Sequence, residues 1–375
     1  MNRSLIIDLL KLLAAQSIVL HHLSVYGPMA DALYEVWPTA SDAFFVYSRL
    51  AVQVFLVMGG FLAAQSIRMN TPTPGWSQMG QSIGRRYLRL IPPYLVAMLF
   101  ITGVVAVCRH HISGDWLVAN PTWSAALAHV LTLQGLLGLP SLSVGVWYVA
   151  MDFQLFVLLV LMVTITRTPR LLAWAVAALC AASMLYFNTL GDLDNWALYF
   201  FGAYGLGVLA AWQTRSRQHR ALFIATLVIA CVALWIAPRI RLEVAVVTAV
   251  LLAVSTHLRT PTGFWGQWMQ RLADCSYGTF LTHYGVIVIL SAVWEITARE
   301  GVTWALAFTM VGWWLSVGTG MAFYRWVEQP LSQWLSQLGR APRARVTDHS
   351  ATHTTPTTQP WPPHTHTPLT SPRLR

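Results

Sequence analysis

Ten apolar runs divide this chain, near residues 5–24, 44–66, 88–108, 145–166, 170–187, 196–212, 220–237, 242–258, 275–294 and 303–324. Each is close to the ~20 residues that a helix rising 1.5 Å per residue needs to cross a hydrocarbon layer about 30 Å thick. Hydrophobic residues make up 56% of the chain and charged residues only 10%, whereas a soluble domain carries about 25% charged. Such a chain has too little polar surface to cover its apolar area in water. The expected architecture is all-α, a polytopic membrane bundle of about ten transmembrane helices occupying residues 1–335. The first run is not read as a secretion signal, because Asp8 and Lys11 interrupt it and no small-residue cleavage site follows.

Basic residues give the expected orientation. With the N-terminus in the cytoplasm, 18 of the 24 Lys and Arg fall on the cytoplasmic side, and five (Arg49, Arg109, Arg239, Arg241 and Arg299) fall opposite. Lys11 lies within the first run. The acids Asp31, Glu35, Asp42, Asp115, Asp192, Asp194, Glu243, Glu295 and Glu300 all fall on the second side. Both termini are therefore expected in the cytoplasm. In a bacterium the chain would sit in the inner membrane, its second side facing the periplasm. Residues 336–375, rich in Thr, Pro and His, read as a disordered cytoplasmic tail. His364 and His366 in that tail read as solvated rather than metal-binding. Residues 109–144 form the longest outer loop, and its Leu-rich stretch suits an interfacial helix or a re-entrant segment equally.

The net charge of +10 does not indicate a nucleic-acid partner. The basic residues are scattered between apolar runs, with no aromatic-interleaved basic patch. Cys108, Cys180, Cys231 and Cys275 show neither metal spacing nor a disulfide framework.

The first run, "LIIDLLKLLAAQSIVLHH", keeps four ionisable groups in an otherwise lipid-compatible helix. At ~100° per residue, Asp8, Lys11 and His22 form one stripe, with Ala15 and Ile18 between them. His21 leaves the helix about 100° away and is expected at the outer interface. Ionisable groups in mid-membrane are costly and usually face a protein interior or a water-filled path. Two further runs carry them as well: "VWYVAMDFQLFVLL" holds Asp152 and Gln154, and "DCSYGTFLTHYGVIVIL" holds His283. One shared polar site is the expectation.

Taken together, these segments resemble the acyltransferase-3 family of integral membrane O-acyltransferases over roughly residues 5–335. Asp8 and His22 fit the family's N-terminal signature, with Lys11 at the position of its arginine. "RRYLRLIPPYL" supplies the basic pair Arg86 and Arg89. Trp147, Asp152 and Gln154 fit a Trp-led segment, although a common second acid is replaced by Phe153. Ser276, Tyr277 and His283 fit a Ser-Tyr…His segment, and "YRWVEQP" supplies Tyr324, Arg325, Glu328 and Pro330.

The resemblance implies transfer of an acyl group, often acetyl, from cytoplasmic acyl-CoA to a hydroxyl, usually on a surface or secreted glycan. The bundle would carry the whole activity. His22 is the expected general base or, alternatively, a covalent acyl carrier. Asp152 is expected to orient it. Lys11 keeps the positive charge of the family's arginine without its planar fork, and pairs with Asp8. Arg86 and Arg89 are expected to bind the CoA phosphates, with His283 lining the donor path. Two rival readings are a lipid or glycan transporter without transfer chemistry and a scaffold whose polar groups only pack. Apolar runs interrupted by Gly or Pro at corresponding places in the two halves would favour the transporter, and they are not evident.

Overall fold

Side-chain caps and prolines mark several helix starts. Thr122, Thr168 and Ser216 accept hydrogen bonds from the backbone N–H groups three residues on, which occupies donors a helix cannot satisfy itself. Pro28, Pro38 and Pro169 stand at first helical positions, where a missing N–H costs nothing. The computed structural model describes residues 4–66, 75–255, 261 and 263–338. Most of the Thr/Pro/His-rich tail lies outside the described residues. The α-helices are α1 (Leu5–Leu23), α2 (Pro28–Val36), α3 (Pro38–Ser48), α4 (Ala51–Ser66), α5 (Trp76–Cys108), α6 (Trp123–Val130), α7 (Trp147–Thr166), α8 (Pro169–Leu185), α9 (Ala197–Trp212), α10 (Arg217–Ile236), α11 (Ile240–Val254), α12 (Phe264–Asp274), α13 (Ser276–Thr297), α14 (Val302–Phe323) and α15 (Gln329–Leu338). No β-strand occurs among the described residues.

All ten apolar runs are helical where they are described. Among the described residues, eight helical stretches are long and apolar enough to cross a membrane. The runs expected at 196–212 and 242–258 give α9 and α11, of 16 and 15 residues. The apolarity of α9 has a second explanation, because it is buried continuously from Phe200 to Ala210 and a helix apolar all round belongs in a core. Elsewhere Leu99, Val107, Ile224, Trp235 and Met310 stand exposed on the outside, as a lipid-facing surface requires.

The two largest hydrophobic clusters hold most of the bundle together. One joins α4 and α7 to α8, α9, α10 and α11. The other joins α1, α5 and α13. Val52, Val54 and Phe55 of α4 and Tyr148 of α7 pack against both, so these two helices form the seam. Small residues bring α4 and α9 together. A Cβ on Gly60 would collide with the Tyr204 carbonyl, and one on Gly207 with the Val57 carbonyl. Lipid offers helices no hydrophobic drive to associate, so close backbone approach supplies the packing energy.

The long loop between α5 and α7 re-enters the bundle. The Tyr87 hydroxyl donates to the Val130 carbonyl at 2.7 Å, and the Gln154 amide donates to the Thr132 carbonyl at 3.0 Å. Tyr87 lies 21 residues before Cys108 on the same helix, a distance of about 30 Å along the axis. The segment therefore folds back along α5, which decides between the two expected forms of this loop. Irregular backbone at such depth survives only where its polar groups are satisfied. The buried His129 meets that need twice: Nδ1–H donates to the Ala125 carbonyl at 2.7 Å, and Nε2 accepts from Leu142 N–H at 3.2 Å. Pro92 and Pro93 inside α5 remove two more helix donors. The Tyr277 hydroxyl bonds the neighbouring Leu90 carbonyl at 2.9 Å, tying α13 to α5 there.

Gly207→Ala is expected to force α9 off α4, at a cost of about 1–3 kcal/mol for overpacking. Thermal unfolding of the detergent-purified protein should show a clear fall in midpoint. An unchanged midpoint would mean that the two backbones do not meet at this point.

Candidate active site

The stripe on α1 faces protein. Asp8, Ala15, Ile18 and His22 are all buried, and Lys11 and His22 line two different cavities. The first cavity, of about 390 Å³, is lined by Lys11, Arg86, Arg89, Asp152, Tyr324 and Glu328, among others. The second, of about 440 Å³, is lined by His21, His22, Arg49, Gln53, Gly145 and Arg241, among others. Eleven residues separate Lys11 from His22, or about 16 Å of helix rise. Phe280 borders both cavities. Its ring lies 6.3 Å from that of Phe55 and 5.9 Å from that of Tyr148, so an aromatic partition stands between the two spaces.

The partner of His22 is His283. His22 Nδ1 and His283 Nε2 are 2.6 Å apart, and with 4.9 Å between ring centres and 5° between their planes the two rings meet edge to edge, nearly coplanar. The second nitrogen of His283 settles the direction of that bond. His283 Nδ1 lies 3.2 Å from the Thr279 carbonyl, an oxygen that can only accept. Nδ1 of His283 therefore carries its proton, and in the neutral ring Nε2 is left as an acceptor. His22 must then donate through Nδ1–H, and its Nε2 keeps a lone pair. That nitrogen has no protein partner among the described residues. Gly145 closes on the same ring: at φ +73°, a Cβ there would lie 3.1 Å from His22 Cε1. Helix α7 begins just after it, so the positive end of its dipole lies at the second cavity.

Several site residues stand elsewhere than expected. Asp152 does not orient His22. It lines the first cavity and pairs with Arg86 at 2.5 Å, with side chains 7% and 19% exposed. The Arg86 guanidinium also lies 5.3 Å from the Phe156 ring centre. Arg86 is thus engaged by an acid, while Arg89 forms no ion pair among the described residues. His283, expected on the donor path, is hydrogen-bonded to the base candidate instead. His21, expected at the interface, is buried, touches the Phe45 ring and lines the second cavity beside His22. Lys11 and Glu328 share the first cavity, where a π-helical turn over Tyr324–Glu328 delivers the acid. Such turns frequently mark functional sites. Arg49, Arg241, Gln53 and Gly145 escaped the sequence reading. Their signal was the presence of Arg49 and Arg241 on the otherwise acid-rich side.

Removing Arg86 leaves Asp152 as an uncompensated buried charge, a loss of about 3–5 kcal/mol. Arg86→Ala is therefore expected to lower folded yield sharply. Arg86→Met combined with Asp152→Leu should recover much of the stability, because apolar replacement of both partners is often neutral. Size-exclusion profiles and unfolding midpoints check both variants. A stable Arg86→Ala protein would show that the pair does not hold α5 to α7.

The acyltransferase-3 family model, described as an acyltransferase domain, matches residues 5–323 of the 375. The chain is also 26% identical over 162 residues to "Regulator of hypoxia-inducible factor 1" of Caenorhabditis elegans. That match covers 40% of this chain and 32% of the relative, so the chain spans about a third of that protein's length. No solved structure matches. With the family model covering nearly the whole bundle, the chain belongs to the acyltransferase-3 family and is a multi-pass membrane acyltransferase.

Proposed function

We propose that this protein moves an acyl group, acetyl in the simplest case, from acyl-CoA in the first cavity to a hydroxyl in the second. The acceptor would be a glycan at the cell surface or on its way out. The single observation that carries the reading is the free lone pair on His22 Nε2, fixed by the chain Thr279 carbonyl–His283–His22. A sugar hydroxyl is a poor nucleophile at neutral pH, and an oriented imidazole can take its proton during attack. The acceptor oxygen adds to the thioester carbonyl while its proton passes to His22 Nε2. The C–S bond then breaks, and the proton leaves with the CoA sulfur as a thiol. His283 accepts from Nδ1–H and stabilises the imidazolium as it forms, the task first expected of Asp152. The start of α7 supports the negative charge on the carbonyl oxygen.

The first cavity suits the donor. Arg89 and Lys11 bring positive charge to it, and CoA carries several phosphates. The thioester, at the far end of the pantetheine arm, would reach the histidines past Phe280. This reading places the Lys11 end in the cytoplasm, in keeping with the 18-to-5 split of basic residues. In a bacterial cell it implies the inner membrane.

His22→Ala is expected to lower acyl transfer about 10²–10⁴-fold, the range general-base catalysis supplies, with the protein still folded. His283→Ala should lose less, because the base stays but its orienting partner goes. His21→Ala should be milder still, since His21 makes no hydrogen bond to the pair. Release of CoA thiol from acetyl-CoA, measured with acceptor-bearing membranes at matched expression, checks all three. Wild-type transfer by His22→Ala would end this reading.

A further inference from the structure

The second cavity holds more positive charge than a hydroxyl acceptor needs. Arg49, just before α4, and Arg241, in the first turn of α11, both line it, and the two charges are close enough to repel. Neither forms an ion pair among the described residues. The acid that lines the same cavity, Asp194, lies exposed and pairs with neither. The guanidinium of Arg49 lies 5.0 Å from the Phe45 ring centre, and its Nε is buried without a hydrogen-bond partner. Two half-buried cations side by side and unpaired repel each other, and such an arrangement is relieved when an anionic ligand completes it.

A second observation points the same way. Gln53, in the first turn of α4, is only 8% exposed and lines the cavity, and its side-chain amide bonds to no described protein group. Two cations, an unpartnered amide and the positive end of α7 surround one space. They share the property of stabilising an anion.

We propose that this cavity binds an acidic saccharide, with a carboxylate or phosphate on the acceptor held between Arg49 and Arg241 and hydrogen-bonded by Gln53. Anchoring that group presents a neighbouring hydroxyl to His22, which lines the same space. Neutral sugars fit the cavity but leave both cations unpaired. The proposal names the acceptor class and rests on the acyl-transfer reading above.

Binding without donor separates the two claims. The full chain in phosphatidylcholine nanodiscs, which present no net-anionic lipid, is titrated with methyl glucuronide, glucose 1-phosphate, methyl glucoside and inorganic phosphate. At least one acidic sugar is expected to bind ten-fold or more tighter than methyl glucoside. That preference should vanish in Arg49→Gln and in Arg241→Gln and return in Arg49→Lys. Gln53→Leu should weaken acidic-sugar binding several-fold. Equal affinity for acidic and neutral sugars overturns the proposal. So does an acidic preference that survives both Gln variants, or inorganic phosphate binding as tightly as the sugar phosphate. An inactive base with the preference intact would instead count against the transfer chemistry alone.

Discussion

The bond between His22 and His283 organises the chemistry of this molecule. It is a 2.6 Å contact between residues 261 positions apart, inside a bundle whose outer surface faces lipid. A lone imidazole there could turn, protonate or exchange tautomers. A hydrogen bond to a second imidazole that is itself bonded to the Thr279 carbonyl leaves one arrangement of protons among neutral rings. The consequence is a basic nitrogen on a residue that lines the second cavity, with no charged residue needed to orient it. A carboxylate would do the same work at the cost of burying another charge.

Charge is instead concentrated around the first cavity. The Arg86–Asp152 pair joins α5 to α7, and Lys11, Arg89 and Glu328 line the same space. Phe280 borders both cavities, and Phe55 and Tyr148, which line the first and sit on the helices that pack against both hydrophobic clusters, lie against it. The rigid seam of α4 and α7 therefore sets the distance that an acyl group would cover. Glycines hold α4 against α9 so closely that this distance has little freedom to vary.

Much of the fold was legible because lipid imposes a simple rule: apolar runs of sufficient length become helices. All ten runs obey it where described, and the stripe of Asp8, Lys11 and His22 follows from helical period alone. The re-entrant loop was not legible, since its backbone is satisfied by Tyr87 and Gln154, which no local pattern links to Val130 and Thr132. Pairings across the site were misassigned for the same reason. Asp152 has suitable chemistry to orient His22, and Arg86 to hold phosphate, yet each meets the other. Sequence shows which side chains are unusual in a membrane; only packing shows which of them touch.

The pH dependence of acyl transfer tests the central claim most directly. If His22 acts as a neutral base whose Nδ1–H is held by His283, transfer should fall as pH drops and the imidazole protonates. In His283→Ala, which removes the acceptor nitrogen, His22 becomes a weaker base. The acid limb should then move to lower pH while the maximum rate declines. An acid limb at the same pH in both proteins would contradict the account, because the ionisation that controls transfer would then lie outside the histidine pair.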